Sequence, residues 1–280
     1  MNICLLLLGC HLADAVKQRS WLGPNNMISG TSPSARAYSP FAKVDDNIYL
    51  FGGYGSVDMN DIYKFDSVNL TWTTLTTFVR GSKPLERDSH GLGHFNGKLF
   101  VVGGYAGISG RNDVYTLDLA SLTWTDVTPL IRGTPPAPRY GLGMALNRNL
   151  FFVFGGYDIS AIPLADLFYL DPVALTWTDL TAAAVGDAPT GRGYPGWTMA
   201  AGKLYLFGGA EVTGASSASL HELDVSDLSR PVWTNLTQPG GPVGRQGPAF
   251  TATNGTMLFL FGGQDSNQAL LADLHYFDIP

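Results

Sequence analysis

The chain has 280 residues, 14% charged and 45% hydrophobic, which excludes a disordered polymer and calls for a substantial buried core. Its acidic residues are 20 Asp and 3 Glu, its basic ones include only 6 Lys, and 34 Gly and 17 Pro accompany them, a composition of turns rather than helices. The net charge of -6 offers no attraction to phosphate backbones or anionic bilayers, so no nucleic acid is expected as a partner.

The first element is the apolar run Ile3 to Cys10, eight residues long and too short for the roughly 20 that a membrane helix needs, so no membrane span is expected. It reads as the core of a short signal peptide with Ala13-Asp14-Ala15 as the cleavage site, although Met1-Asn2 carries no basic side chain. Leu7-Leu8-Gly9-Cys10 also has the form of a bacterial lipoprotein box. Secreted and cytoplasmic locations stay equally open. Both cysteines, Cys4 and Cys10, lie in this leader, so the remainder must fold without disulfides or thiolate metal sites. The division expected is a leader over 1–15 and one domain over 16–280.

From there on the chain repeats itself. Gly pairs follow apolar runs at Gly52-Gly53, Gly103-Gly104, Gly155-Gly156, Gly208-Gly209 and Gly262-Gly263, with successive offsets of 51, 52, 53 and 54. The runs before them, such as Leu150 to Phe154, are apolar on both alternating faces, the pattern of a strand buried on both sides. A second, alternating strand follows each pair, as in Asp61 to Asp66, Asp113 to Asp118, Asp166 to Asp171 and Asp273 to Asp278. The next strand carries Trp72, Trp124, Trp177 or Trp233, and an Arg then opens the following unit at Arg87, Arg139, Arg192 and Arg245. Turns at Asn96-Gly97, Ala201-Gly202 and Asn254-Gly255 split the segment between Arg and Gly pair into a hairpin, which makes four strands per unit.

Five units of about 52 residues with a doubled Gly, a Tyr or Phe in the third strand and a Trp in the fourth resemble kelch repeats over nearly the whole chain. The resemblance implies an all-β fold, a five-bladed β-propeller of four-stranded antiparallel blades. The Gly pairs are expected to turn at positive φ or to approach a neighbouring strand where a Cβ would clash, and the Trp side chains to fill the space between blades. Trp21 precedes Arg36 by 15 residues, the spacing that separates Trp72 from Arg87, Trp124 from Arg139 and Trp177 from Arg192. The fifth unit ends at Pro280 after its third strand, so the last blade is expected to be closed by the N-terminal strand around Val16 to Leu22, within a monomer.

No catalytic set emerges. Kelch-like copper-radical oxidases need a Cys joined to Tyr, and no Cys stands outside the leader. Glu86, Asp88 and His90 share a strand face at i, i+2, i+4, but they flank the repeated Arg87 and read as architecture, so no metal or other cofactor is expected. Glu211 and Glu222 are the remaining carboxylates that an acid–base pair of the kelch-like mutarotase kind could use, but only His221 stands in that unit to match them and they read as part of a solvated loop. Asn69-Leu-Thr71, Asn235-Leu-Thr237 and Asn254-Gly-Thr256 are sequons only for a eukaryotic secretory route. The candidates for partner binding are Tyr54, Tyr105 and Tyr157, each directly after a Gly pair, and the ring of Arg36, Arg87, Arg139, Arg192 and Arg245. The bland account of the arginines pairs each with the Asp at the third-strand start, with Ser219 replacing Asp in the fourth unit. The function implied is a non-catalytic module that binds a protein or peptide through propeller rim loops. The alternative is a secreted carbohydrate-active or small-ligand-binding propeller.

Overall fold

The computed structural model of the chain describes residues 28–253 and 256–279. Its strands form five sheets, which we number blades 1 to 5, and among the described residues the helical content is a single 3-10 turn at Thr128–Leu130. Blade 3 shows the plan: Gly143–Asn147, Leu150–Phe154, Leu167–Asp171 and Thr176–Asp179 pair antiparallel in chain order. Blade 1 repeats it with Phe41–Val44, Asn47–Tyr54, Asp58–Asp66 and Thr71–Thr74, and blade 2 with Gly91–Phe95, Lys98–Ala106, Ser109–Asp118 and Thr123–Asp126. Blade 4 uses Gly196–Ala200, Lys203–Phe207, Leu220–Asp224 and Val232–Asn235. Blade 5 has three strands, Ala249–Thr253, Met257–Phe261 and Leu274–Asp278. The strand expected to close it, Val16 to Leu22, lies outside the described residues, as does the proposed leader.

The first four blades carry one strand more than the repeat suggested. Ser29–Gly30, Arg80–Gly81, Arg132–Gly133 and Val185–Gly186 each lie parallel to the Trp strand of a blade. The glycine is required there: at Gly81 φ is +84° and a Cβ would stand 2.1 Å from the Trp124 carbonyl oxygen, and Gly133 and Gly186 meet Trp177 and Trp233 in the same way.

Burial follows the expected two-faced pattern. Phe151, Phe152 and Val153 are fully buried on one strand: Phe151 and Val153 pack towards blade 2, Phe152 and Phe154 towards blade 4. Four such clusters fill the spaces between blades 1 and 2, 2 and 3, 3 and 4, and 4 and 5. Trp residues fill the first three of these as expected, with the Trp124 ring 5.0 Å from Phe51 of the preceding blade and Trp233 5.3 Å from Phe154, whereas the fourth, between blades 4 and 5, is filled by residues such as Tyr205 and Phe207. Burying each such aromatic contributes on the order of 2–3 kcal/mol.

Both reasons offered for the Gly pairs hold at once. Gly103 and Gly104 have φ of +59° and +99°, and a Cβ on Gly104 would lie 2.6 Å from the His90 Cβ. The close approach serves a joint between blades: the Gly104 N–H donates to the Arg139 carbonyl at 2.9 Å, as Gly53 does to Arg87, Gly156 to Arg192 and Gly209 to Arg245. A second chain of bonds runs around the axis two residues after each Arg, from Ser89 N–H to Tyr38, Gly141 to Ser89, Tyr194 to Gly141 and Gly247 to Tyr194. The first strands of all five blades therefore converge on one axial channel of about 310 Å³, lined among others by Phe41, His90, Leu142, Trp197 and Phe250.

Candidate functional site at the loop-bearing rim

The loops after the Gly pairs and the segments that enter each first strand meet at one end of the channel. Ala37 pairs with Tyr54, Asp88 with Tyr105, Tyr140 with Tyr157, Gly193 with Ala210 and Gln246 with Gln264, so one two-residue bridge per blade surrounds the mouth.

The arginines lie beneath this layer, and their side chains are between 0% and 4% exposed. Arg139 is typical: Nη1 and Nη2 donate to the two Asp166 carboxylate oxygens at 2.5 and 2.6 Å, Nη1 also to the Gly155 carbonyl, and Nε to Ala137. Arg36 with Asp61, Arg87 with Asp113 and Arg245 with Asp273 repeat the bidentate pairing. The neighbouring Arg245 guanidinium holds the Asp273 carboxyl well below the usual carboxylate range. Arg192 differs because Ser219 stands where the other blades have Asp. It donates to Ser219 at 3.2 Å and to Thr190 and pairs with Glu211 on the rim loop at 2.7 Å, while burial pulls its pKa down. A buried guanidinium already forked onto a carboxylate has few donors left for a partner, so the surface that the rim presents is built from other side chains.

Of the three tyrosines expected there, Tyr105 and Tyr157 are half-buried and Tyr54 is exposed. Tyr105 and Tyr157 join three that sequence reasoning missed. Tyr140 packs against Tyr105 at 5.3 Å and stacks on Tyr157 at 5.5 Å; Tyr194 lies 5.8 Å from Tyr157, 6.3 Å from Tyr140 and 5.4 Å from Tyr38. The Tyr194 hydroxyl is 3.0 Å from Ser89 Oγ, and burial pushes its pKa up. The missed residues occupy the two positions after the repeated Arg, at Tyr38, Tyr140 and Tyr194. An aromatic recurring one or two places after Arg36, Arg139 and Arg192 was the available signal.

Beside the tyrosines, the buried Asp88 carboxyl is pushed up to about 6 by desolvation and by the neighbouring Asp58 carboxyl, against the Ser89 hydroxyl, which lowers it. The other members of the strand triplet separate from it: His90 is buried against Phe51 with both ring nitrogens unpartnered, and burial takes its pKa down to about 3. Glu211 and Glu222 do not act together. Glu211 holds Arg192, whereas Glu222 accepts from Lys203 at 2.6 Å and from the Tyr205 hydroxyl at 2.8 Å in the body of blade 4. Among the described residues no group of three or more His, Cys, Asp or Glu side chains is placed to hold a metal ion, and no helix is long and apolar enough to cross a membrane.

Blades that carry an internal Arg–Asp fork in four cases of five and join through a left-handed Gly pair, with a Trp in three of the four described gaps, define a kelch-type β-propeller. The chain belongs to the kelch-repeat family: it matches the KLHDC2/KLHL20/DRC7 Kelch-repeats domain over residues 10–185 and again over 109–280. It is 30% identical over 258 residues to acyl-CoA-binding domain-containing protein 5 of Arabidopsis thaliana, a match over 88% of this chain and 38% of that protein. It is also 30% identical over 210 residues to kelch domain-containing protein 3 of Homo sapiens, over 69% of this chain and 52% of that protein. Host cell factor of Drosophila melanogaster is 26% identical over 96% of this chain, which is 20% of its own length. The chain thus spans between a fifth and about half of these relatives.

Proposed function

We propose that this propeller is a protein-interaction module that engages an extended segment of its partner with the loop-bearing rim. The observation that carries the reading is the chemistry of the loop tips. Each of the five loops places a branched aliphatic side chain in water: Val57, Ile108, Ile159, Val212 and Leu270 are 64%, 92%, 72%, 76% and 84% exposed. Aliphatic groups at every tip around one mouth form a surface that a partner covers, and the tyrosines inside the ring add contact area with little loss of conformational entropy. Kinship with kelch domain-containing protein 3 supports the same reading. The propeller framework itself is silent on activity, since one fold serves many functions.

The test is capture of partners from native extract by residues 16–280, beside a variant carrying Ile108→Ser, Ile159→Ser and Val212→Ser. All three side chains stand in solvent, so the variant keeps its fold. A partner retained by the wild type and lost by the variant supports the rim; equal capture by both overturns it.

A further inference from the structure

The mouth is not symmetric. Around blades 1 to 3 the bridge layer carries Tyr105, Tyr140, Tyr157, Asp88 and the neighbouring Asp58, and Tyr38 and Tyr194 close over it from the axis. Around blades 4 and 5 the same layer carries Gly193, Ala210, Gln246 and Gln264, with the Gln246 amide donating to Gln264 at 3.2 Å. The arginines beneath are neutralised by their own carboxylates. The Arg87 backbone N–H donates to the Met59 carbonyl at 2.9 Å, with Asp58 and Asp88 one residue to either side of that bond, and among the described residues neither carboxyl forms an ion pair: what acts on Asp88 is the loss of water, the Ser89 hydroxyl and Asp58. Neighbouring carboxyl groups that lose water disfavour each other's ionisation, and a cation between them relieves that cost. Tyrosine faces beside them are the surface that attracts a cation once water is excluded.

We propose that the blade 1 to 3 side of the mouth is a receptor for a cationic side chain, a Lys or Arg of the partner segment, held over the Tyr140 and Tyr157 rings and neutralised by Asp58 and Asp88. The inference rests on the rim reading above and names the chemistry of its partner. The cation supplies the counter-charge that the two carboxyls lack. The aliphatic tips then cover the flanking residues, while the Gln side accepts the uncharged part of the segment.

The test is calorimetric titration of the intact chain with four ten-residue peptides, alternating Gly with Lys, Arg, Gln or Glu. Binding by the Lys and Arg peptides, at least tenfold tighter than the Gln peptide and with the Glu peptide weakest, is expected. Asp58→Asn and Tyr157→Ala should each weaken the basic peptides by fivefold or more, and Asp58→Lys should abolish their binding while leaving the melting temperature within a few degrees. Equal affinity for the Gln peptide, preference for the Glu peptide, or basic-peptide binding unchanged by Asp58→Lys each overturns the proposal. Its failure is distinguishable from failure of the rim reading: a captured partner lost by the loop-tip serines but retained by Asp58→Lys leaves the rim standing and removes only the cation site.

Discussion

Blades 3 and 5 carry nearly the same central strand, Leu-Phe-Phe-Val-Phe at 150–154 and Met-Leu-Phe-Leu-Phe at 257–261, and bury it very differently. In blade 3 the last four residues are buried, because blade 2 covers one face and blade 4 the other. In blade 5 Leu258 and Leu260 are buried towards blade 4 while Met257 and Phe259 are partly exposed and Phe261 is exposed, and Leu274 and Tyr276 of the next strand are 64% and 69% exposed. Hydropathy thus records how many faces a strand is built to bury, and the neighbours decide how many it does. Among the described residues, Met257 and Phe259 on the face opposite blade 4 have the composition of a core without the cover that Phe152 and Phe154 receive.

The sharpest way to press on this difference is to remove one ring from each strand. Phe152→Ala, in a fully enclosed site, is expected to cost about 4 kcal/mol, and Phe259→Ala, three residues before the Gly pair in blade 5 as Phe152 is in blade 3, about half of that. Denaturant unfolding of both variants measures the ratio; equal losses would mean that the face of Phe259 is covered in solution.

The second largest effect is expected from the segment that sequence spacing assigns to that face. Gly30 follows Trp21 by nine residues, as Gly81 follows Trp72, Gly133 follows Trp124 and Gly186 follows Trp177. Ser29–Gly30 then pairs with blade 1 as Arg80–Gly81 pairs with blade 2. From this spacing residues 16–22 are expected to serve blade 5 as the Trp strands serve the others. Their deletion should cost roughly 3 kcal/mol, the burial of one Trp side chain, and should speed amide exchange at Leu274–Asp278. Unchanged unfolding and unchanged exchange would refute N-terminal closure.

A smaller effect separates two glycines of blade 2. Gly81→Ala drives a Cβ into the Trp124 carbonyl, whereas Gly107, also at positive φ, has nothing within 4 Å of its added carbon. About 2–3 kcal/mol is expected for the first and about 1 kcal/mol for the second, read from the shift in denaturation midpoint.

What the sequence makes legible follows from repetition. The Gly pairs, the Trp fillers and the paired Asp recur because each blade solves the same packing problem, and five coordinated copies single out the doubled glycines from the others. The short parallel strands escaped because their one demanding residue, the Gly nine places after Trp21, Trp72, Trp124 and Trp177, lies in a connection that otherwise varies. The tyrosine mouth escaped for the opposite reason. Tyr38 and Tyr194 stand two places after their Arg and Tyr140 one place after, while other units put Asp88, Gln246, Ser89 or Gly247 there, so the aromatic signal is divided between two positions and looks like noise against a repeat. For the arginines the sequence left two accounts open, because a charge does not state whether it faces water; the distances to Asp61, Asp113, Asp166 and Asp273 show where the charge is spent.

The smallest effect concerns protonation on the acidic side of the mouth. Asp88 titrates at about 6 in the folded protein against an ordinary value of 3.8, so between these values the native state holds a proton that the unfolded chain has released. The stability that this proton supplies is complete below about pH 3.8 and is lost as pH rises through 6. Asp88→Asn keeps the neutral shape at every pH. Relative to the variant, the wild type should lose about 1–2 kcal/mol between pH 4 and pH 7, at 1.36 kcal/mol per unit of displacement discounted for the solvent edge that the carboxyl retains. The check is a pair of melting curves across that range. Parallel curves would mean that Asp88 is already ionised in the free protein, and that neither its burial nor Asp58 leaves it in need of a cation.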